Sequence, residues 1–169
     1  TPLLTCGVGT EDVALRLIAA GADVNAAWAD TKERKLEWAC THSSHTLAVA
    51  LLDAGADPNA VKPGGTPPLL AACVNVDVVL ALRLVDKGAA VNVKYSESDQ
   101  DTPLILACRL AAEPLALLLL DKGGKPNVAN KIGNTPLIWA CSKGLAAVAQ
   151  RLMEAGADVN ATSQSGSTP

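Results

Sequence analysis

The residues best able to do chemistry in this chain are five cysteines and two histidines. Cys6, Cys40, Cys73, Cys108 and Cys141 recur at intervals of 33 to 35 residues. Thiols spread that evenly do not match the close pairing of a structural zinc site or a dithiol redox motif. The densest group of metal-ligand types is Cys40-x-His42-x-x-His45. A zinc site wants about four ligands, and no fourth lies nearby in sequence. Cys40 is expected to point into a core, and His45 to open the next helix. Neither histidine has the spacing that pairs a general base with a nucleophile. The chain holds no Gly-x-x-x-x-Gly-Lys-Ser/Thr loop, no Gly-x-Ser-x-Gly elbow and no His-Glu-x-x-His. The Gly64-Gly65 pair reads as a turn and opens no phosphate loop. The expectation is no enzyme: no catalytic residues, no bound cofactor and no metal.

The cysteines do mark something else. Each is followed, 15 residues on, by a Gly: Gly21, Gly55, Gly88, Gly123 and Gly156. Each Gly is followed, four residues on, by Asn25, Asn59, Asn92, Asn127 or Asn160. Ahead of the cysteines stand Thr102-Pro103-Leu104-Ile105-Leu106-Ala107-Cys108 and Thr135-Pro136-Leu137-Ile138-Trp139-Ala140-Cys141, which are near copies. Three landmarks in phase define an internal repeat. Its grammar is that of two helices. Thr is a good N-cap, and Pro fits the first helical position, where its missing N–H costs nothing. A first helix is predicted over 104–109 and a second over 114–122. Gly123 then takes the left-handed conformation that stops a helix. The polar stretch after each Asn reads as a projecting turn.

This pattern resembles the ankyrin repeat family, whose period is about 33 residues and whose signature is Thr-Pro-Leu-His-x-Ala. The resemblance covers essentially the whole chain. It implies an all-α solenoid of stacked helix-turn-helix units with projecting turns, in a single domain over 1–169. Repeats fall at about 1–28, 29–61, 62–96, 97–129 and 130–162, with 163–169 starting a sixth. The chain is expected to be a fragment of a longer protein. Departures are informative. The family's His is absent from every copy; Leu70, Ile105, Ile138 and Glu37 stand in its place. Repeat two has Arg34-Lys35-Leu36 for Thr-Pro-Leu, so its first helix lacks the usual cap, and it is expected to be the softest repeat. Repeat four carries extra residues around Lys94 to Asp101, predicting a longer and more mobile turn.

The family's binding surface lies on the turn tips and first helices, which line a concave face. Carried over residue by residue, the positions after each cysteine face that groove: Thr41 and His42, Val74 and Asn75, Arg109 and Leu110, Ser142 and Lys143. Two residues ahead of each cysteine stand Trp38, Ala71, Leu106 and Trp139, which share that face. Trp38 and Trp139 read equally as hot-spot anchors and as packing against a neighbouring repeat. The tips add Trp28, Asp30, Lys32, Glu33, Arg34 and Lys35, then Tyr95, Glu97, Asp99 and Asp101, then Lys131, Ile132 and Asn134. The partner-binding set is thus Trp28, Trp38, His42, Asn75, Tyr95, Arg109, Lys131, Trp139 and Lys143. Trp28 is the best single anchor, as an exposed indole in a polar turn. On the second helices Leu15, Val49, Leu82 and Leu117 share one position; it reads as an apolar stripe on the convex side, open to a second partner, or, with those helices rotated, as buried, and burial is the expectation.

Composition narrows the partner class. The chain is 49% hydrophobic and 18% charged, with a formal net charge of −3. That composition suits a folded domain, and no basic excess marks a nucleic-acid binder. No apolar run approaches a membrane span. The five cysteines hold one small core position in each repeat, so all five are expected to be buried free thiols. Equivalent positions in neighbouring repeats lie about 8–10 Å apart, too far for a disulfide. Free thiols imply a reducing compartment, the cytoplasm or the nucleus. Together these predict a monomeric protein–protein interaction module with no nucleic-acid or membrane partner. The alternative is a regulatory or targeting segment of a larger multidomain enzyme.

Overall fold

The computed structural model of the protein describes residues 1–7, 9–94 and 100–169. Among them are ten helices: α1 Pro2–Thr5, α2 Glu11–Ala19, α3 Lys35–Thr41, α4 His45–Asp53, α5 Pro68–Val74, α6 Val78–Asp86, α7 Pro103–Arg109, α8 Glu113–Asp121, α9 Pro136–Ser142 and α10 Ala146–Glu154. Short and longer helices alternate, as the repeat grammar requires. Thr102 and Thr135 cap α7 and α9 by accepting the N–H of Ile105 and Ile138 at 3.3 Å. Gly123 closes α8 with φ +90°, and the next N–H, from Gly124, returns to the Leu119 carbonyl at 2.8 Å. That left-handed stop is the reason for a glycine at this landmark.

The described chain forms two compact units. The first comprises residues 1–72 and 79–89. In it α1 packs on α2, α3 on α4, and α2 on α4. Leu3, Leu36, Leu47, Leu51 and Leu52 are fully buried with Ala14, Ala39 and Ala48 between them. Small and large side chains alternate here, which lets backbones approach closely. The second unit comprises 73–78 and 90–169. It pairs α7 with α8 and α9 with α10, and joins the pairs through α7–α9 and α8–α10. Its core is Leu104, Ile105, Leu115, Leu119, Leu137, Val148 and Leu152.

The recurring Asn proves to be a clasp. In the first unit Asn25 donates its amide to the Gly55 carbonyl at 3.2 Å and accepts the Asp57 N–H at 2.8 Å. In the second unit Asn92 does the same with Gly123 and Lys125, and Asn127 with Gly156 and Asp158. One side chain thus satisfies two backbone groups of the following turn and fixes the spacing of the stack.

Two expectations change. Four cysteines are buried, and burial pushes the Cys73 and Cys108 thiols up to about 12. Cys141 is exposed, because it lines two open cavities along α9. Leu15, Val49 and Leu117 are only half-buried and Leu82 is 36% exposed. The core face of each second helix instead passes through Ala14, Ala48, Ala81 and Ala116, one residue earlier.

Candidate interaction surface

Repeat two organises its surface around a buried cation. Lys35 was grouped with the exposed tip charges by its neighbours in sequence, yet its side chain is fully buried. The cause is its place at the start of α3, where the other repeats put proline. Its ammonium donates to the Cys6 carbonyl and lies 3.9 Å from the Trp38 ring centroid and 5.5 Å from that of Trp28. Cation–π contact with two indoles replaces part of the water it gives up. Burial lowers its pKa, partly offset by Cys6 and by the carboxylate of Glu33. Trp28 is therefore half-buried over Lys35 and is not the free indole expected of a polar turn. Trp38 is half-buried as well, and the His42 ring stacks on it at 4.4 Å and 18°. The His42 Nδ1 lies 2.9 Å from the Trp38 carbonyl oxygen, which assigns the proton of the neutral ring to that nitrogen.

The missing cap of α3 is real: Arg34 makes no side-chain cap bond. Glu37, at 1% exposure, supplies a different brace. Its carboxylate accepts the Lys62 N–H at 2.9 Å, tying α3 to the following tip. Burial raises its pKa, against the lowering effect of the Lys62 N–H. Gly65 makes room for it. A Cβ at that position would collide with the carboxylate and stand 2.8 Å from the Lys62 side chain.

The second unit solves the same loop problem with an amide. Asn130 donates to Asp101 at 2.8 Å and accepts the N–H groups of Ile132 and Asn134 at 3.2 and 2.9 Å. Asp101 also pairs with Arg109, whose Nε is 3.1 Å away. Asp101 and Asn134 are consequently buried and leave the set of exposed tip residues. Arg109 is half-exposed and bound to Asp101. Lys131 and Lys143 are exposed, and the Lys143 ammonium lies 5.9 Å from the Trp139 ring centroid. Trp139 is half-buried, and its Nε1 is enclosed with no acceptor among the described residues. It borders a cavity of about 590 Å³ with Asn134, Ile138, Ser142 and Ser165. Asn75 is exposed, at the end of the short 73–78 stretch of this unit. Tyr95, Glu97 and Asp99 lie outside the described residues, as does most of the stretch expected to form a longer turn.

A family model described as "Ankyrin repeats (3 copies)" matches residues 36–130 and, in a second register, 69–163. The chain belongs to the ankyrin repeat family. An ankyrin repeat-containing protein of Treponema pallidum (strain Nichols) is 38% identical over 91 residues, 53% of this chain. The chain spans about 30% of that relative's length. As an ankyrin solenoid it departs from the family at one repeat position. Where the signature has His, repeat two brings a buried Glu37 and repeats three to five bring Leu70, Ile105 and Ile138. The loop bonds are then made by Glu37 in the first unit and Asn130 in the second. The sequence carries a signal for both: a carboxylate and an amide on otherwise apolar or turn positions. Their roles depend on which tip lies over them, which spacing alone does not state.

Among the described residues no three His, Cys, Asp or Glu side chains are grouped to hold a metal ion. Nor, among the described residues, is any helix long and apolar enough to cross a membrane.

Proposed function

We propose that this chain, as ankyrin repeats generally do, acts as a protein–protein interaction module, through the exposed ends of its first helices and through its turn tips. The observation that carries this reading is a periodic change of exposure. Residues up to and including the cysteine are buried or half-buried in repeats two to four, and the next one or two emerge: Thr41 and His42, Val74 and Asn75, Leu110. In repeat five Ser142 and Lys143 emerge in the same register. Such residues can change without disturbing the core, so they are free to be chosen for a partner. Trp38 and Trp139 contribute the inner, half-buried part of that surface, where hot spots concentrate. The targeting-arm reading uses the same surface and differs in what else the longer protein carries.

The test is partner capture from the source organism, with the full chain as bait. A variant combining His42→Ala, Lys131→Ala and Lys143→Ala is expected to lose the partner at unchanged helical circular dichroism. Undiminished capture by that variant would move the binding surface elsewhere, with the second helices as the next candidates.

A further inference from the structure

We propose that repeat two meets its protein partner with a fixed hydrogen-bond acceptor, the Nε2 of His42, and that the buried Lys35 is the positioning residue that holds it there. The partner supplies an uncharged donor, a peptide N–H or a hydroxyl. This inference deepens the reading above and rests on it.

Four residues of repeat two come together around one indole. The Lys35 ammonium lies 3.9 Å from the Trp38 ring centroid, and the His42 ring stacks on the same indole at 4.4 Å and 18°. The Thr41 hydroxyl donates to the carbonyls of Glu37 and Trp38, each 3.0 Å away. Its oxygen stands 3.2 Å from Nδ1 of His42, and the Trp38 carbonyl oxygen stands 2.9 Å from that nitrogen. A carbonyl only accepts, and the hydroxyl proton is already used. Both neighbours of Nδ1 therefore require an N–H there. In the neutral ring Nε2 is then left with its lone pair. His42 is exposed, and its Nε2 makes no bond among the described residues.

Lys35 supplies what a surface imidazole ordinarily lacks, a fixed seat. It is fully buried and tied to the Cys6 carbonyl, so the indole on which His42 stacks rests on a cation that cannot move away. Ordering a side chain at the moment of binding weakens association, and here the ordering is done on folding. The same ammonium sets the charge of the partner. A cationic donor arriving at His42 would meet a like charge held against the ring beneath it, which favours an uncharged N–H or O–H. His42 is also the C-cap of α3, where the last carbonyls of the helix are acceptors themselves. The whole end of the helix thus faces a chain that carries donors.

The combination belongs to one repeat. Repeats three and four carry Ala71 and Leu106 in the place of Trp38, and Asn75 and Leu110 in that of His42. Repeat five keeps the indole but has Pro136 and Lys143 in the places of Lys35 and His42.

Two measurements on the full chain test this. The first reads the ring. Long-range proton–nitrogen correlation spectra, at a pH above the ordinary imidazole range, should show His42 as one tautomer with its proton on Nδ1. Lys35→Met, at unchanged circular dichroism, should return His42 to a mixture of tautomers, and Lys35→Arg should restore the single form. A mixture in the wild type overturns the fixed acceptor, and a single form in Lys35→Met overturns the role of Lys35. The second reads the partner. Peptides of 12 residues, selected on the wild-type chain from a displayed random library, are titrated by anisotropy. They are expected to bind about tenfold more weakly to His42→Phe, which keeps a stacking ring and removes the acceptor. Methylating one peptide N–H, or removing one peptide hydroxyl, should cost the wild type that same factor and His42→Phe nothing. Equal binding by wild type and His42→Phe overturns the inference and leaves a peptide-binding surface in place. Peptides whose binding depends on Lys or Arg instead overturn the uncharged donor. No enrichment of any peptide also removes the inference; the broader reading then stands or falls on partner capture.

Discussion

Trp38 and Trp139 stand at the same position of their repeats, two residues ahead of a cysteine, and the chain uses them in opposite ways. Around Trp38 the sequence reads Lys35, Glu37 and His42; around Trp139 the matching residues are Pro136, Ile138 and Lys143. In repeat two the cation lies beneath the indole, fully buried, and the carboxylate lies in the core. In repeat five those two places are apolar and the cation is outside, on an exposed side chain. Repeat two thus spends its charges on holding its own tip and the end of α1. Repeat five keeps its charges free and lets Pro136, Thr135 and Asn130 do the holding with neutral groups. Moving a charge by about two helical turns, from ahead of the indole to behind it, takes it from the core to the surface.

The largest effect expected from this difference is on stability at position 35. Lys35→Ala removes a fully buried side chain, two indole contacts and the donor to the Cys6 carbonyl. A loss of about 2–4 kcal/mol is expected. Pro136→Ala, the matching change, should cost about 1–2 kcal/mol, through the entropy of the unfolded chain and the loss of buried ring carbons. Urea unfolding of both variants measures the contrast, and similar losses would remove the claim that repeat two is braced by its lysine. Next comes Gly65→Ala. Its Cβ meets the Glu37 carboxylate and Lys62, so the tip must shift. A loss of about 1–3 kcal/mol is expected, and pairing it with Glu37→Ala should recover much of it. Failure of the pair to recover stability would mean that the remaining contacts with Lys62 and Val61, at 2.8 and 2.9 Å, and not the Glu37 carboxylate, set the cost.

How far could this comparison be read from residues alone? The two-helix repeat was legible because Thr-Pro, Cys and Gly each answer a local demand: a cap, a small core site and a left-handed stop. Local demands repeat with the chain. Lys35 reads as a tip charge from its neighbours, but burial of a lysine is set by what covers it, here the nearby Trp28 and the end of α1, 29 residues away. Asp101 and Asn134 failed in the same way, since Asn130 and Arg109 draw them inward. The recurring Asn was visible as a landmark, but its clasp on the next turn is a contact across about 30 residues. His42, Asn75 and Lys143 are exposed, as helical period after the cysteine requires, and Lys131 is exposed on its turn tip.

The two buried ionisable groups of repeat two predict a pH dependence that repeat five lacks. Burial raises the Glu37 carboxyl above its ordinary 4.5. Above pH 4.5 the unfolded chain loses a proton that folded Glu37 still holds. Stability therefore falls as pH rises from 4.5 through the folded value, and is level beyond it. Burial lowers Lys35 below its ordinary 10.5. Between the folded value and 10.5 the unfolded chain holds a proton that folded Lys35 has released, so stability rises with pH there. Each contribution is at most about one proton in the slope of stability against pH. Unfolding midpoints across pH, for wild type, Glu37→Gln and Lys35→Met, test this. Glu37→Gln should flatten the acid side and Lys35→Met the alkaline side. Ile138→Gln and Pro136→Met should change neither slope, and a slope change in those variants would mean that the effect does not belong to repeat two.

The smallest effect concerns the loop between the two helices of a repeat. At one equivalent position Ser43, Val76 and Ala111 hold φ of 56°, 54° and 55°, and Gly144 holds 69°. A left-handed backbone costs an L-residue about 1–2 kcal/mol, and most for a β-branched one. Gly144 is relaxed in repeat five, while Val76 carries strain at the same point of repeat three. The Val76 side chain is 43% exposed, so its removal forfeits little burial. Against the relief stands the greater freedom of glycine in the unfolded chain, about 0.5–1 kcal/mol. Val76→Gly is therefore expected to stabilise by about 0.5–1 kcal/mol, and Gly144→Val to destabilise by about 1–2 kcal/mol. Thermal unfolding of the two single variants reads both signs. If Val76→Gly destabilises instead, the exposed valine is packed in solution, and its strain is kept for that contact and not tolerated as an accident of the turn.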